Sequence, residues 1–548
     1  MPLAAGRRFA ELAGRRKRPS PQVTRPDFLP PLQGGINAIA GAATAPRGDA
    51  LYLYNMIPSE FGVRVRLGYA EYCEPVPLGD GIKTLIPVDP QDGDPKKLFA
   101  CTSDGIYDVG TAGGTPVKVQ DFGSKTVLAG WCVWTNFTNI AGQYVLVCDS
   151  ANGYFIYDVD ADTWSQVAMG VSAGEIDGVD PETFDYVMVW KNRVWFIERG
   201  TGTGWYLPVG QITGTVESFE FGNKFKYGGH LKALYNWTLD GGEGIDDYVM
   251  ALSSAGDMLI YKGSNPEVFG DFIMHGSWFI GQVPAGRQPG EDTGGEMLVL
   301  SEYGLIQASK LIAGLPLTDA QASISHKINP RINTVLARSI NEHGWQVRQD
   351  PKNNLIWVVT PKETGLQYMQ FVYQTDTKGW AQFLDLPIKT LEVWDGQLYF
   401  GSDDNRIYLY TNNVDAAMLA DEGASAVAID WEQLSCFDAY QTPAIFKRVQ
   451  MMRPQFLAAS VPSYSVAARY DFDTSQLSGA PSFVVPAGGV WGSGLWDVDV
   501  WGGGYIVNQP LRGGAGLGRY IAIAIRGRSA ADTIHVGTDV LYDTGGTL

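Results

Sequence analysis

Charged residues are scarce in this 548-residue sequence, at 18%, whereas aromatic residues are plentiful, at 12%. Disordered chains show the opposite balance, so the composition argues against disorder. The 66 glycines and 30 prolines also argue against a mostly helical protein, because glycine costs about 1 kcal/mol in a helix interior. Aromatic strands joined by tight turns fit better. The sequence therefore predicts an all-β fold.

Cysteine and long apolar runs are scarce as well. The five cysteines are odd in number, and no two of them form a CxxC pair. We therefore expect free thiols in a reducing compartment rather than a disulfide framework. No uncharged run of 18 apolar residues is present, and the N-terminus lacks the apolar core of a signal peptide. The sequence predicts no membrane-spanning segment.

Common catalytic motifs are missing. The five histidines lie far apart, without HExxH or HxH spacing, which argues against a zinc site. There is neither a GxSxG nucleophile elbow nor a GxxxxGK[ST] phosphate loop. The glycine-rich run at 513–518 lies between strand-like segments, so a sheet turn is favoured over a phosphate cradle. We expect no catalytic residue, no metal and no cofactor.

Two patterns leave weaker alternatives open. Asp158, Asp160 and Asp162 alternate as in a calcium loop but lack its glycine and its bidentate glutamate, so a solvated turn is favoured. Three C-terminal tryptophans could stack on a sugar, although filling a β core or a subunit seam is favoured. These tryptophans are Trp491, Trp496 and Trp501.

A second acidic loop runs from 240 to 247 and is rich in glycine. Its carboxylates are those of Asp240, Glu243, Asp246 and Asp247. Paired carboxylates are the machinery of glycosidases, but four acids in such a loop more often form a solvated turn. In a channel-forming protein the same loop could face the lumen or a gate.

The net charge of −18 is unevenly distributed. Residues 1–30 hold seven basic and two acidic residues, a net charge of +5, which leaves −23 on the rest of the chain. Such a split is typical of an interaction tail on an acidic body. The arm is predicted to dock onto an acidic neighbour or to contact phosphates through Arg7, Arg8, Arg15, Arg16, Lys17, Arg18 and Arg25.

Seven apolar hairpins follow one another between residues 82 and 413. Their turns are centred near residues 104, 152, 192, 256, 304, 354 and 396. The mean spacing of about 49 residues is typical of propeller blades. Two units share a Tyr…Asp-Thr…Trp pattern, at 157–164 and 373–380, which resembles the kelch-type blade signature.

The charge distribution and the positions of the hairpins predict the domain organisation. We expect a basic extended arm at 1–33 and a degenerate β-propeller of six to eight blades, with insertions, at 81–430. The strand-like segments 34–80 and 431–548 are expected to form one β-sandwich-like or barrel-like platform domain, because chain ends often lie close together. Separate small domains at the two ends are the alternative.

Four stretches together resemble the tail nozzle proteins of short-tailed bacteriophages, also called tail hub or packaged-DNA stabilisation proteins. The first is the opening GGIN at 34–37 with the residues that follow it, Asn55, Pro58, Gly62, Arg64, Arg66 and Gly68. The others are 237–266, 277–306 and the closing LWDVDVWGGG at 495–504. The four stretches span most of the chain.

The resemblance implies a structural virion protein, made in the host bacterial cytoplasm, that forms a ring of six copies below the portal and adaptor rings. Such a nozzle encloses the last part of the DNA channel, helps to retain the packaged genome and carries fibres, spikes or a tip. The family has no known catalytic residues. An acidic wall would contact the passing double-stranded DNA only weakly, because it repels phosphates.

Two rival interpretations come from the propeller alone. One is a propeller glycoside hydrolase or lyase, which would need converging carboxylates in a central pocket. The other is a receptor-recognition protein that binds carbohydrate through displayed loops.

Overall fold

A computed structural model describes residues 24–545 apart from 92, 241–244, 287, 318, 364, 417–425, 459–461, 479–505 and 509–510. Strands dominate this part of the chain, which confirms the all-β prediction. The N-terminal strands are β1 (Thr24–Leu29), β2 (Gly35–Ile36), β3 (Asp49–Tyr54), β4 (Met56–Ser59), β5 (Gly62–Val65) and β6 (Tyr69–Glu71).

The first four propeller blades are antiparallel sheets of four strands each. Blade 1 contains β7 (Thr84–Val88), β8 (Lys97–Cys101), β9 (Gly105–Asp108) and β10 (Val117–Asp121). Blade 2 contains β11 (Cys132–Asn139), β12 (Gly142–Asp149), β13 (Gly153–Asp158) and β14 (Thr163–Gln166). A parallel pair outside the blades joins β15 (Ile176–Asp177) and β19 (Gly214–Thr215). Blade 3 contains β16 (Phe184–Trp190), β17 (Arg193–Glu198), β18 (Thr203–Tyr206) and β20 (Glu217–Glu220). Blade 4 contains β21 (Leu231–Asp240), β22 (Ile245–Ser253), β23 (Asp257–Lys262) and β24 (Ile273–Phe279).

Blade 5 has three strands and is followed by the two α-helices of the described residues. Its strands are β25 (Gly290–Asp292), β26 (Met297–Ser301) and β27 (Gly304–Gln307), and the helices are α1 (Ala308–Ile312) and α2 (Asn329–Ser339). Single 3-10 turns occur at Pro181–Thr183, Gly222–Lys224 and His326–Ile328. Blade 6 contains β28 (Gln346–Asp350), β29 (Leu355–Val359), β30 (Met369–Gln374) and β31 (Gly379–Leu384). Blade 7 contains β32 (Thr390–Trp394), β33 (Gln397–Gly401) and β34 (Ile407–Tyr410).

The ring of seven described blades is closed by a strand from the beginning of the chain. β6 pairs antiparallel with β34 and is the fourth strand of blade 7. The sequence-based boundary at residue 80 placed this strand in the platform. The structure differs because the apolar Tyr69 packs in the blade, with its ring centroid 4.9 Å from that of Tyr408.

The hairpin positions agree with the predicted turns, and they also explain why the spacing is irregular. The predicted turn near 152 joins the second and third strands of blade 2, whereas the turn near 192 joins the first and second strands of blade 3. The predicted turns therefore correspond to different hairpins in different blades, so their spacing varies. Both Tyr–Trp patterns are directly paired across strands, Tyr157 with Trp164 and Tyr373 with Trp380.

The platform is a sandwich of two sheets built from both ends of the chain. Its C-terminal strands are β35 (Val414–Asp415), β36 (Val427–Ser435), β37 (Lys447–Ala458), β38 (Ser463–Tyr470), β39 (Ile506–Asn508), β40 (Arg512–Gly513), β41 (Ile521–Ser529) and β42 (Thr533–Thr544). One sheet contains β3, β36, β41 and β38, and the other contains β37, β42, β5, β4 and β1. Trp431 and Phe456 pack between the sheets, with ring centroids 5.8 Å apart.

The last residues of the predicted arm belong to this sandwich. Residues Thr24–Leu29 form β1, which pairs antiparallel with β42 from Thr24↔Asp543 to Leu29↔Thr538. The predicted arm boundary at residue 33 therefore differs from the structure, in which Leu29 is buried in the core. The composition was misleading here because β1 pairs with a strand more than 500 residues away in the sequence.

Candidate functional site

The propeller and the platform share one sheet. The strands of blade 6 continue into the sandwich in the order β28-β29-β30-β31-β3-β36-β41-β38. The crossing point is the pairing of Tyr54 in β3 with Gln382 in β31. We call the segment 55–68, together with the residues that it contacts at this crossing, the joint.

Asn55 lies at the centre of the joint, in a left-handed backbone conformation with φ 55°. Its side-chain amide donates to the carbonyl of Asp430 in the platform, at 2.8 Å. Its side-chain oxygen accepts from the backbone N–H of Leu384 in the propeller, at 2.8 Å, and from Arg66, at 3.0 Å. One buried side chain therefore bonds to both modules.

Arg66 extends the joint to the segment that leaves the propeller. Its guanidinium is 1% exposed and makes two bonds of 2.7 Å to the carboxylate of Asp415. Two bonds in parallel fix the orientation of the arginine as well as its position. Gly68 is needed beside them, because a Cβ there would lie 1.9 Å from the carbonyl oxygen of Val414.

The innermost strands of the seven blades surround a central channel within the single chain. We call the side on which these strands begin the upper face and the side on which they end the lower face. A cavity of about 440 Å³ in the channel is bounded by the innermost strands of blades 2 to 6.

A buried ion-pair clamp joins three blades beside the channel. Arg348 of blade 6 donates to Glu291 of blade 5, at 2.7 Å, and to Glu392 of blade 7, at 2.6 Å. Burial raises the pKa of Glu392 to about 7, against the opposing attraction of Arg348. Two carboxylates thus share one guanidinium, and one negative charge is only partly compensated.

A larger cavity of about 680 Å³ opens on the upper face between blades 6 and 7, the loop before blade 2 and the end of α2. We call it the upper pocket. It is lined by Trp131, Arg338, Glu342, His343, Lys362, Glu363, Tyr368, Lys389 and Asp403, among others. Sequence patterns gave no signal for this pocket or for the clamp, because their residues come from segments far apart in the chain.

The described ends of the predicted acidic loop lie on the lower face, where β21 ends at Asp240 and β22 begins at Ile245. Asp240 pairs with Ile245 and Leu239 with Asp246, but Glu243 and the side chains of Asp240 and Asp246 lie outside the described residues. Asp247 is ion-paired with Lys191 and accepts from Thr238, at 3.0 Å. Its role at a lumen or gate stays a prediction.

Of the predicted docking residues of the arm, the structure describes Arg25, an exposed residue of β1 opposite Tyr542. The others, Arg7, Arg8, Arg15, Arg16, Lys17 and Arg18, lie outside the described residues. Beside Arg25 a groove of about 600 Å³ runs over the platform sheet that contains β1, β37 and β42. It exposes the apolar side chains of Phe28, Met451 and Leu511.

The two weaker patterns have different outcomes. Asp158 accepts from the backbone N–H of Ala161, at 3.0 Å, and Asp162 accepts from Tyr157, at 2.8 Å. These bonds are those of a hairpin turn. Within the described part of the chain, no group of three or more His, Cys, Asp or Glu side chains is arranged to hold a metal ion. Trp491, Trp496 and Trp501 lie in the stretch 479–505, which is not described.

All five cysteines are buried and none forms a disulfide. None of the helices in the described residues is long and apolar enough to cross a bilayer.

Comparisons with known proteins concern the fold alone. No family model matches the sequence, and no curated protein matches it. A computationally designed protein, Ika8, is similar over 62% of this chain and 99% of its own, at 12% identity and a TM-score of 0.35. The β-propeller domain of Swd1 from Myceliophteria thermophila covers 62% of this chain and 99% of its own, at 11% identity and a TM-score of 0.36. The extracellular domain of a hybrid two-component system from B. thetaiotaomicron covers 78% and 56%, at 12% identity and a TM-score of 0.39.

Proposed function

We propose that the protein is a structural virion component, a tail nozzle or hub that forms a six-membered ring below the portal and adaptor rings. In this role it extends the DNA channel, helps to retain packaged DNA and carries fibres, spikes or a tip. It is made in the host bacterial cytoplasm and acts by assembly rather than by chemistry.

The joint is the observation that carries the proposal. A ring that holds back packaged DNA must transmit force between its attachment site and the parts that hang from it. Here the propeller and the platform share a sheet, and Asn55 and Arg66 tie both modules together with buried hydrogen bonds. The modules therefore keep a fixed mutual orientation.

The resemblance to nozzle proteins supports the same role. Asn55, Gly62, Arg66 and Gly68 carry part of that resemblance, and all four lie in the joint. Gly62 is needed there because its φ of 153° and the carbonyl oxygen of His535, 2.2 Å from a Cβ, leave no room for a side chain. Two residues of the motif, Asn55 and Arg66, thus bond at the crossing between the two modules, and its glycines Gly62 and Gly68 allow close chain packing beside it.

The charge distribution agrees with a DNA conduit. The chain beyond residue 30 carries −23, and a wall of that sign repels phosphates, so DNA slides past without binding. The basic arm leads directly into β1 of the platform, and we infer that it docks onto an acidic neighbouring ring.

Reconstitution tests the proposal. The full-length protein is mixed with the portal and adaptor proteins encoded near its gene, and the mass of the complex is measured. We expect a complex with six copies of this chain, even if the protein alone is monomeric. A lack of association with both rings, together with virions that keep their DNA when the protein is missing, would overturn the proposal.

A further inference from the structure

The upper pocket is built from five separate segments and lies apart from the joint. Trp131 comes from the loop before blade 2, Lys389 from the start of blade 7, and Asp403 from a turn of blade 7. Lys362 and Tyr368 come from the long connection between the second and third strands of blade 6. The volume of about 680 Å³ is typical of small-molecule sites, which span about 300–1,000 Å³.

Most charges of the pocket are already paired with one another. Lys389 lies 3.0 Å from Asp403, whose other oxygen accepts from the Tyr368 hydroxyl at 2.7 Å. These contacts outweigh burial and lower the pKa of Asp403, so it stays ionised. Arg338 lies 3.3 Å from Glu363. The pairs hold the walls in place and leave little net charge.

This pairing decides which kind of ligand fits. A simple anion drawn to Arg338 or Lys389 would have to displace Glu363 or Asp403, and a simple cation drawn to Glu363 or Asp403 would have to displace Arg338 or Lys389. The exposed rim adds one charge of each sign, on Glu342 and Lys362, so it favours neither kind of ion. An apolar ligand would cover the exposed Glu342 and Lys362 without offering them hydrogen bonds in place of water, which is costly. A neutral ligand with many hydroxyl groups meets neither obstacle, because each hydroxyl can both donate and accept.

A site for a ligand with many hydroxyl groups also needs an apolar surface, which aromatic rings supply here. Trp131 is half-buried; the ring centre of His343 lies 5.9 Å from its ring centre, and the Lys389 ammonium nitrogen lies 6.0 Å from it. Tyr368 is held by Asp403 and by Lys362, whose ammonium group lies 4.1 Å from the ring centre. Tryptophan and tyrosine offer a flat apolar surface with a polar edge, which suits the C–H face of a sugar ring.

We propose that the upper pocket binds a short neutral oligosaccharide. One sugar ring packs against Trp131, and its hydroxyls bond to the exposed Glu342 and Lys362 at the rim. The inference does not rest on the proposed nozzle role. A virion protein with such a site would contact a glycan of the host surface, whereas a glycan-binding protein of another kind would use the same pocket.

The test uses the intact protein and three neutral trisaccharides, maltotriose, cellotriose and triacetylchitotriose, measured by isothermal titration calorimetry. We expect at least one to bind, and Trp131→Ala to weaken its binding at least tenfold. Glu342→Gln, a change at the exposed rim that should leave folding intact, is expected to weaken it several-fold. Trp205→Ala, which removes a half-buried tryptophan of blade 3, is the matched control and should leave affinity unchanged.

Several results would overturn the inference. One is a failure of all three sugars to bind. Another is an affinity in the Trp131→Ala and Glu342→Gln variants equal to that of the unmodified protein. A third is competition by inorganic phosphate or calcium chloride, which would identify an ion site. Because ring assembly is measured separately, a negative result here leaves the nozzle proposal standing, and failed assembly leaves the pocket standing.

Discussion

Asn55 uses its backbone carbonyl and both ends of its side-chain amide at the crossing between propeller and platform. Replacing it with alanine removes these side-chain bonds. It also places at φ 55° a residue that tolerates the left-handed conformation less well than asparagine does. We expect Asn55→Ala to lower the free energy of unfolding by about 2–4 kcal/mol.

A matched control is provided by Asn192, which is exposed and also left-handed, at φ 58°. Asn192→Ala changes the backbone preference in the same way but lies in the turn between β16 and β17 of blade 3, away from the joint. Thermal unfolding of both variants separates the two effects. Equal losses would show that backbone strain, not the bonds of Asn55, holds the modules.

His535 is a second residue with a measurable signature. It is fully buried in the platform between Gln433 and Thr538, each at 2.9 Å, and burial lowers its pKa from 6.5 to about 4. The neutral ring therefore favours the folded state above pH 6.5, and this contribution is lost as the pH falls through 4. By pH 5 the loss amounts to about 2 kcal/mol.

We expect His535→Gln to reduce the decline in stability between pH 7.5 and pH 5, measured by urea unfolding at several pH values. His275→Gln, at an exposed position of blade 4, should keep the full decline. If the two variants behave alike, carboxylates and not His535 govern this part of the pH profile.

Strands of three blades meet at the Arg348 clamp. The pKa of Glu392 is raised from 4.5 to about 7, so this group stabilises the fold most below pH 4.5, and the contribution is lost as the pH rises to about 7. Arg348→Met leaves two buried carboxylates unpaired, and we expect it to cost about 3–5 kcal/mol at pH 8 and less at pH 5.

Glu392→Gln leaves one carboxylate for one guanidinium. We expect it to cost no more than about 1 kcal/mol at pH 8 and to flatten the profile between pH 5 and pH 8, as seen by denaturant unfolding. A larger loss for Glu392→Gln than for Arg348→Met would contradict the charge balance inferred for the clamp.

The shared sheet has a consequence for the whole molecule. Because β31 of the propeller and β3 of the platform belong to one sheet, we expect a single unfolding transition in calorimetry. Tryptophan fluorescence, dominated by the propeller, and the loss of β signal in circular dichroism should coincide. Two separated transitions in the unmodified protein would show that the joint does not couple the modules.

The basic arm is expected to affect assembly of the whole particle rather than folding of the chain. Reversing the charges of Arg15, Arg16, Lys17 and Arg18 to glutamate should impair docking to the adaptor ring and retention of DNA. The melting temperature should stay unchanged, since the described fold begins at β1. Tail assembly in infected cells and DNA content of the particles are the measurements, and unaltered particles would remove the arm from the proposal.

Sequence patterns predicted the local parts of this architecture better than the long-range ones. Alternating apolar strands and Gly, Asn or Asp turns located every predicted hairpin, because both signals lie within a few residues. The pairing of β6 with β34 and of β1 with β42 left no local trace. The clamp was missed for the same reason, since Glu291, Arg348 and Glu392 meet only when the blades close into a ring.

Because β6 closes blade 7, its pairing must be delayed until the ribosome has made β34. Glu71 forms its buried ion pair with Arg406, 335 residues later in the chain. At about 5–20 residues per second, a ribosome needs roughly twenty seconds to one minute to cover that distance. During this time β34, the strand with which β6 pairs, has not been synthesised, and the apolar Tyr69 has no blade to pack in. A nascent chain of this protein is thus exposed to aggregation longest at its first strands, which makes them natural sites for chaperone binding.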